Sequence, residues 1–187
     1  ETIREMKRAN CRLIIVGYES GNDEILQNIK KGITTDQMRK FTRDAKKAGL
    51  LIHGDFIIGL PGETKRTAEE TIRFIKELKP NILQVAVATP IPGTEFYRWA
   101  KENNYLLVDD MEQSIDSQGY QKCIVSYPEF TDSNIEAYVD KALKQYYLSL
   151  SFVPVALNNV FRKSGGHELK TMVHSARLFF KYLGRSK

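Results

Sequence analysis

The stretch His53-Gly54-Asp55-Phe56-Ile57-Ile58-Gly59-Leu60-Pro61-Gly62-Glu63-Thr64 constrains the fold more than any other. It opens as an apolar run suited to a buried parallel strand, then breaks at Gly59 and Pro61-Gly62. A helix is expected next, with Thr67 and Glu70 spaced as a capping box ahead of Ile72, Phe74 and Ile75. A strand that turns sharply on glycines into a helix leaves backbone N–H groups and strand-end side chains at one rim. In barrels and open α/β sheets, ligands bind at that carboxyl-end rim. A tight turn with no ligand has the same local sequence, so other rim segments must decide.

Two more strands supply them. Arg12-Leu13-Ile14-Ile15-Val16-Gly17 is apolar and β-branched. It runs into Tyr18-Glu19-Ser20-Gly21 and a short helix with Ile25, Leu26 and Ile29, which Gly32 is expected to end. Thr34 and Gln37 open a further helix carrying Met38, Phe41 and Ala45, with Gly49 as its stop. The helix after the central strand runs to Leu78 and closes at Lys79-Pro80. From Ile82 to Thr89 the chain alternates, with Gln84, Ala86 and Ala88 on one face and Leu83, Val85 and Val87 on the other. The small, polar face suits a ligand-lined interior, and the branched face suits a backing of helices. Pro90-Ile91-Pro92-Gly93-Thr94 then turns the chain, and Thr94 caps a helix through Phe96, Trp99 and Ala100. Three strand–helix alternations predict βαβ units and a parallel sheet with right-handed crossovers.

All three strands thus end in a marked turn at the same rim. None is a dinucleotide fingerprint, because Gly17 and Gly21 lack a third glycine at the right spacing. None is a phosphate loop, because Gly62-Glu63-Thr64-Lys65 lacks the Gly-Lys-Ser/Thr ending.

Beyond Leu106 the pattern weakens. Cys123-Ile124-Val125-Ser126-Tyr127 is expected to form one more short strand. Ile135, Tyr138, Val139, Ala142, Leu143 and Tyr146 give an amphipathic helix, and Leu169, Met172, Val173, Ala176, Phe179, Phe180 and Leu183 give another. Their aromatic stripes read as packing. With 42% hydrophobic and 27% charged residues, the chain has the balance of a globular protein rather than a disordered one. No stretch reaches the roughly 20 apolar residues needed to span a bilayer. The N-terminus shows no signal peptide, and Glu1 to Asn10 reads as the last turns of a helix whose beginning is missing. Cys11 and Cys123 lie too far apart in sequence to suggest a disulfide framework or a metal-ligand set. A cytoplasmic location fits. The net charge of +5 concentrates at the end, where Arg162, Lys163, Lys170, Arg177, Lys181, Arg185 and Lys187 face Glu168 alone. Such a tail could touch RNA, an anionic membrane surface or an acidic partner, or be a solvated basic helix end.

The segments Gly17-Tyr18-Glu19-Ser20-Gly21 with Leu26 and Lys31-Gly32, then Phe56 to Thr64, then Pro92-Gly93-Thr94-Glu95-Phe96-Tyr97 carry a resemblance. In order and spacing they resemble the second half of a radical S-adenosylmethionine (SAM) domain. The cobalamin-binding group is the most similar, with its anaerobic magnesium-protoporphyrin monomethyl ester cyclases and related Fe-S oxidoreductases. Gln145-Tyr146-Tyr147-Leu148-Ser149-Leu150-Ser151-Phe152 is similar to an aromatic stretch that follows the barrel in that group, without its Arg-Pro pair.

The resemblance implies an α/β fold: three parallel strands with helices over residues 1–128, forming the C-terminal half of a partial TIM-type (β/α)6 barrel. A helical extension over residues 129–187 follows. It implies SAM and a [4Fe-4S] cluster, cleavage of SAM to a 5′-deoxyadenosyl radical, and hydrogen abstraction from a small-molecule substrate. Tetrapyrrole cyclisation is the candidate reaction and cobalamin a candidate further cofactor. The family's three-cysteine motif is absent, so the cluster ligands and any cobalamin domain fall outside this chain, which is expected to be inactive alone.

By the same resemblance, Glu19 would contact SAM at the ribose hydroxyls or the methionyl amino group, unless it serves a helix N-terminus. Lys31 would sit near the methionyl carboxylate. Asp55 shares a strand face with His53 and Ile57, and a charge there is costly unless paired, which suits a lumen position bound to a ligand or a basic partner. Ile57, Ile58 and the backbone after Ala88 would flank the adenine. His53 reads as a packed or hydrogen-bonded strand histidine rather than a base, and no catalytic residue or metal ligand is assigned. The alternative is a non-catalytic SAM- or partner-binding module whose basic tail binds RNA or protein. For the enzyme, nucleic acid is not expected and peripheral membrane contact stays open. The exposed edge of a half-barrel predicts self-association.

Overall fold

The structure, a computed structural model, describes residues 1–108, 110–116 and 119–160, with residues 170, 174, 177, 181 and 184 beyond them. The basic residues Arg162, Lys163, Arg185 and Lys187 and the apolar stripe expected from Leu169 to Leu183 lie outside the described residues.

After a short helix α1 (Thr2–Arg8), strands β1 (Leu13–Glu19), β2 (Leu51–Ile58) and β3 (Ile82–Val87) form one parallel sheet in the order β1-β2-β3. Partners at one level of a parallel sheet share a face. Ile15, His53 and Ile82 therefore make one row, Gly17, Asp55 and Gln84 the next, and Ile57 and Ala86 a third. This face is open, with Ile15 63% exposed.

The opposite face is the core. Tyr18, Phe56, Ile58, Leu83, Val85 and Val87 are buried there with side chains from α3 (Thr35–Lys47), α4 (Lys65–Leu78) and α6 (Asp132–Tyr147). Tyr18 stacks on Phe56 at 5.3 Å, and Phe56 meets Phe74 of α4 edge-on at 6.5 Å. Each large side chain buried this way contributes about 1.5–3 kcal/mol. Ile135, Val139, Ala142 and Tyr146 give α6 a place in this same core. A Lys141–Glu69 ion pair and a Lys76–Gln145 hydrogen bond join it to α4.

Thr34 and Gln37 form the expected capping box on α3. On α4 the box is one turn earlier than expected, because the Thr64 hydroxyl, directly after the turn, accepts from the Thr67 N–H and the Thr64 N–H donates to the Thr67 hydroxyl in return. Glu70 instead accepts from Asn22 and pairs with Arg66. Helix α2 (Asp23–Asn28) ends before Gly32, since Lys30 already takes the left-handed backbone with φ 55°. Residues 123–127 are not a strand; Val125 makes only an isolated antiparallel bridge to Leu106. Thr94 caps α5 (Glu95–Glu102) as expected, and α7 (Val153–Val160) follows α6. Among the described residues, no helix is long and apolar enough to cross a membrane.

The two sheet edges differ. The Tyr147 hydroxyl accepts from the Leu83 N–H and donates to the Leu83 carbonyl, both at 2.9 Å. The Gln121 amide donates to the Val87 carbonyl at 3.3 Å. Side chains thus occupy the outer edge of β3 and bar a further strand there. Among the described residues no strand lies beyond β1, so the sheet can grow only on that side.

Candidate ligand site at the strand ends

Strand β1 ends in a bulge between Gly17 and Glu19, where Glu19 takes φ 66°. The bulge sends Tyr18 into the core and turns Glu19 back over the open face. A Cβ on Gly17 would lie 2.5 Å from Glu19 Oε1 and 3.4 Å from Lys31 Nζ, so the missing side chain makes the room these groups occupy. Lys31 arrives on the turn after α2. Its Nζ lies 2.9 Å from Glu19 Oε1, with the two side chains 29% and 20% exposed. One contact leaves most of the ammonium donors and carboxylate lone pairs for a ligand.

Ser20 and Gly21, in the same turn, serve packing. The Gly21 N–H and the Ser20 hydroxyl both meet Thr71 of α4, and a Cβ on Gly21 would lie 2.5 Å from the Phe74 Cβ.

Asp55 sits beside Gly17 on β2. Its buried Oδ1 lies 3.2 Å from His53 Nε2, out of line for a hydrogen bond, and has no hydrogen-bond partner among the described residues. Leaving such an oxygen unbonded costs about 1–3 kcal/mol, which a donating ligand would recover. His53 is therefore the neighbour of a candidate contact rather than a packed histidine alone.

Ile57, on the same face, packs against a small cluster of Ile25, Leu60 and Ala88. Ala88 is covered, and its N–H donates to the Ile58 carbonyl at 2.8 Å, continuing the ladder past β3. The Ile58 side chain is fully buried on the helix side. The structure therefore brings Glu19, Lys31, Asp55 and Ile57 to the open face, with Ala88 buried in the cluster beside Ile57, whereas the Ile58 side chain lies on the helix side.

Glu63 was not among the expected residues. It is 3% exposed, and its Oε2 accepts from the N–H groups of Gly59 at 2.5 Å and Leu60 at 3.3 Å. Burial pushes its pKa up to about 7, against the lowering effect of those two bonds. In sequence it looks like a solvated acid at a helix start. The readable signal is its place four residues after a strand-ending glycine and directly before the cap. Further out on the rim, Ile29, Leu60, Pro61, Phe96 and Trp99 line a groove of about 560 Å³ beside the exposed Lys30–Glu95 ion pair.

Residues 1–75 match the radical SAM superfamily model. Those residues carry part of a radical SAM domain. An uncharacterized methyltransferase of Pyrococcus horikoshii is 35% identical over 164 residues, covering 87% of this chain and 34% of that protein. The bacteriochlorophyllide d C-8(2)-methyltransferase of Chlorobaculum tepidum is 24% identical over 187 residues, covering 95% and 41%. The chain thus spans about a third to two fifths of the length of these relatives. In fold it is similar to the radical SAM methyltransferase TsrM of Kitasatospora setae, solved with tryptophan and a SAM analogue, with a TM-score of 0.58 at 15% identity over 94% of this chain and 43% of that one.

A radical SAM domain works with SAM and a [4Fe-4S] cluster, and the residues here fit the first and not the second. The cradle over Gly17 and the unbonded Asp55 oxygen suit a polar ligand such as SAM. For the cluster, no group of three potential ligands exists among the described residues. The two cysteines cannot supply a three-thiolate set, and burial pushes the Cys123 thiol up to about 12, away from the thiolate a metal needs.

Proposed function

We propose that this chain is the SAM-holding portion of a radical SAM methyltransferase. The convergence of Glu19, Lys31 and Asp55 on the open face at the strand ends carries this reading. SAM presents a carboxylate, an ammonium and two ribose hydroxyls, and each has a counterpart. Lys31 suits the carboxylate, Glu19 the ammonium, and the free oxygen of Asp55 a ribose hydroxyl. Ile57 gives the adenine an apolar flank. Bound SAM supplies the methyl group or, when cleaved by one electron, the 5′-deoxyadenosyl radical. This chain's residues bind and orient it, while the cluster ligands belong outside the chain.

Methyl transfer is favoured because the two relatives aligned over 87% and 95% of the chain are both named methyltransferases. The bacteriochlorophyllide relative supports a tetrapyrrole as the small-molecule substrate, and it keeps a hydrogen-abstracting oxidoreductase as the second reading. Cobalamin, bound in another structure of TsrM, is proposed as a further cofactor held outside this chain. The test is turnover by the natural full-length protein, reduced without oxygen, with methyl-labelled SAM and a chlorophyllide-type tetrapyrrole. Label in the tetrapyrrole is the expected result. Formation of 5′-deoxyadenosine without label transfer would favour hydrogen abstraction, and binding of SAM without cleavage would favour the non-catalytic module.

A further inference from the structure

We propose that Glu63 and Tyr127 are a positioning pair, holding the backbone N–H and carbonyl of Gly59 and so setting the end of β2 that presents Asp55 and Ile57. Gly59 directly follows β2 and turns with φ 96°, and a Cβ there would press on Ile135 of α6 at 3.0 Å. Its N–H donates to Glu63 Oε2 at 2.5 Å, and its carbonyl accepts from the Tyr127 hydroxyl at 2.6 Å. Both backbone polar groups of this one residue are thus held by buried side chains, one four residues further along the chain and the other 68 residues further along.

Glu63 has no duty in the helix that follows, because Thr64 and Thr67 cap α4 without it. Its second oxygen, Oε1, is buried with no hydrogen-bond partner among the described residues. An acid kept at that cost, bonded only to the turn, is explained by the turn. Tyr127 lies beyond residues 1–75, so a segment outside the family match completes the hold that the matched segment begins.

The carboxylate form of Glu63 grips the two N–H groups more tightly than the acid form does. Tyr127 is the titratable group facing Glu63 from another element, with Cys123 and Tyr105 close to Tyr127. Burial pushes the Tyr127 phenol well above its usual range and the Cys123 thiol up to about 12, so neither changes charge near neutrality. Glu63, pushed up to about 7, does. The grip on the turn therefore tightens as pH rises through neutrality.

The consequence for SAM rests on the function proposed above; the positioning itself does not. Amide NMR shifts of Gly59, Leu60, Asp55 and Ile57 in the natural full-length protein, recorded from pH 5.5 to 8.5, test the positioning. All four are expected to titrate together near pH 7 and to stop doing so in Glu63→Gln, while Tyr127→Phe shifts Gly59 and Ile57 without moving the midpoint. Titration of Gly59 and Leu60 alone would overturn the proposal, as would a Glu63→Gln protein that titrates like the wild type. Calorimetry with SAM is expected to show affinity rising three- to tenfold between pH 6 and 8 in the wild type and staying flat in Glu63→Gln. Absence of SAM binding by the wild type at every pH would overturn the proposed function, while the amide titration still decides the positioning.

Discussion

Glu19 Oε1 and Lys31 Nζ meet at 2.9 Å over Gly17, two opposite charges, one from the end of β1 and one from the turn after α2, folded onto bare strand backbone. The pair is partly exposed, and pairs of that kind typically contribute at most about 1 kcal/mol to stability. Its geometry is therefore better explained by what it can exchange for than by what it stabilises. A ligand carrying both an ammonium and a carboxylate can replace each partner with the other's charge.

Gly17→Ala and Gly21→Ala should separate function from packing. The new Cβ at residue 17 meets the mobile end of Glu19, which can swing away, so stability should change by less than about 1 kcal/mol while SAM affinity falls. At residue 21 it meets Phe74 Cβ and the Thr71 backbone of α4, which cannot, and destabilisation of about 1–3 kcal/mol is expected. Denaturant unfolding of both variants, with calorimetry on the first, checks this. Equal loss of stability in the two would remove Gly17 from the site.

Glu63 should leave a mark on stability against pH. Its folded pKa, raised from 4.5 to about 7, means the native state holds this proton more tightly than the unfolded chain. Stability from this group is full below about pH 4.5 and lost as pH rises through about 7, to a total of about 3 kcal/mol. The carboxylate binds the turn better locally even as burying its charge weakens the whole fold. Urea unfolding at pH 5, 6, 7 and 8 should show this slope, and Glu63→Gln should flatten it. Identical slopes in the two proteins would refute the assignment.

The open edge of β1 should drive self-association. Ile15 is 63% exposed on the open face, whereas the edge of β3 is occupied by Tyr147 and Gln121. A second copy covering roughly 1,000 Å² or more is the expected remedy. Light scattering on the 187-residue chain at micromolar concentration should report a dimer or larger species, and Ile15→Lys should shift it toward monomer. A strictly monomeric wild-type chain would sink the idea.

Iron–sulfur reconstitution of the same chain should fail. With two cysteines, one of them buried and held as a thiol, it lacks the thiolates a cluster needs. Stoichiometric iron with a stable visible absorbance would contradict the account.

Much of this architecture was legible in local sequence. The period-2 run of β3, the apolar runs of β1 and β2, and the Thr34–Gln37 box are local patterns, and they gave the sheet and α3 correctly. Glu19 and Lys31 could be named only through the family resemblance, whereas alternation along β2 itself puts Asp55 and Ile57 on one face. Placing Ile58 beside Ile57 at the adenine departed from that same alternation, which puts Ile58 on the helix side. What stayed hidden depends on contacts distant in sequence. Nothing local says that Tyr127 reaches Gly59, 68 residues away, or that Tyr147 closes the edge of β3 from 64 residues away. Glu63 looked solvated because its burial is imposed by a turn and a segment that meet only in the fold.

SAM affinity of the natural full-length protein, measured by calorimetry beside its Glu19→Ala, Lys31→Ala and Asp55→Ala variants, tests the site most directly. Each variant should keep its fold and lose about 1–3 kcal/mol of binding free energy, the worth of a charge-assisted hydrogen bond. Unchanged affinity in all three would mean that the open face of this sheet is not where SAM is held.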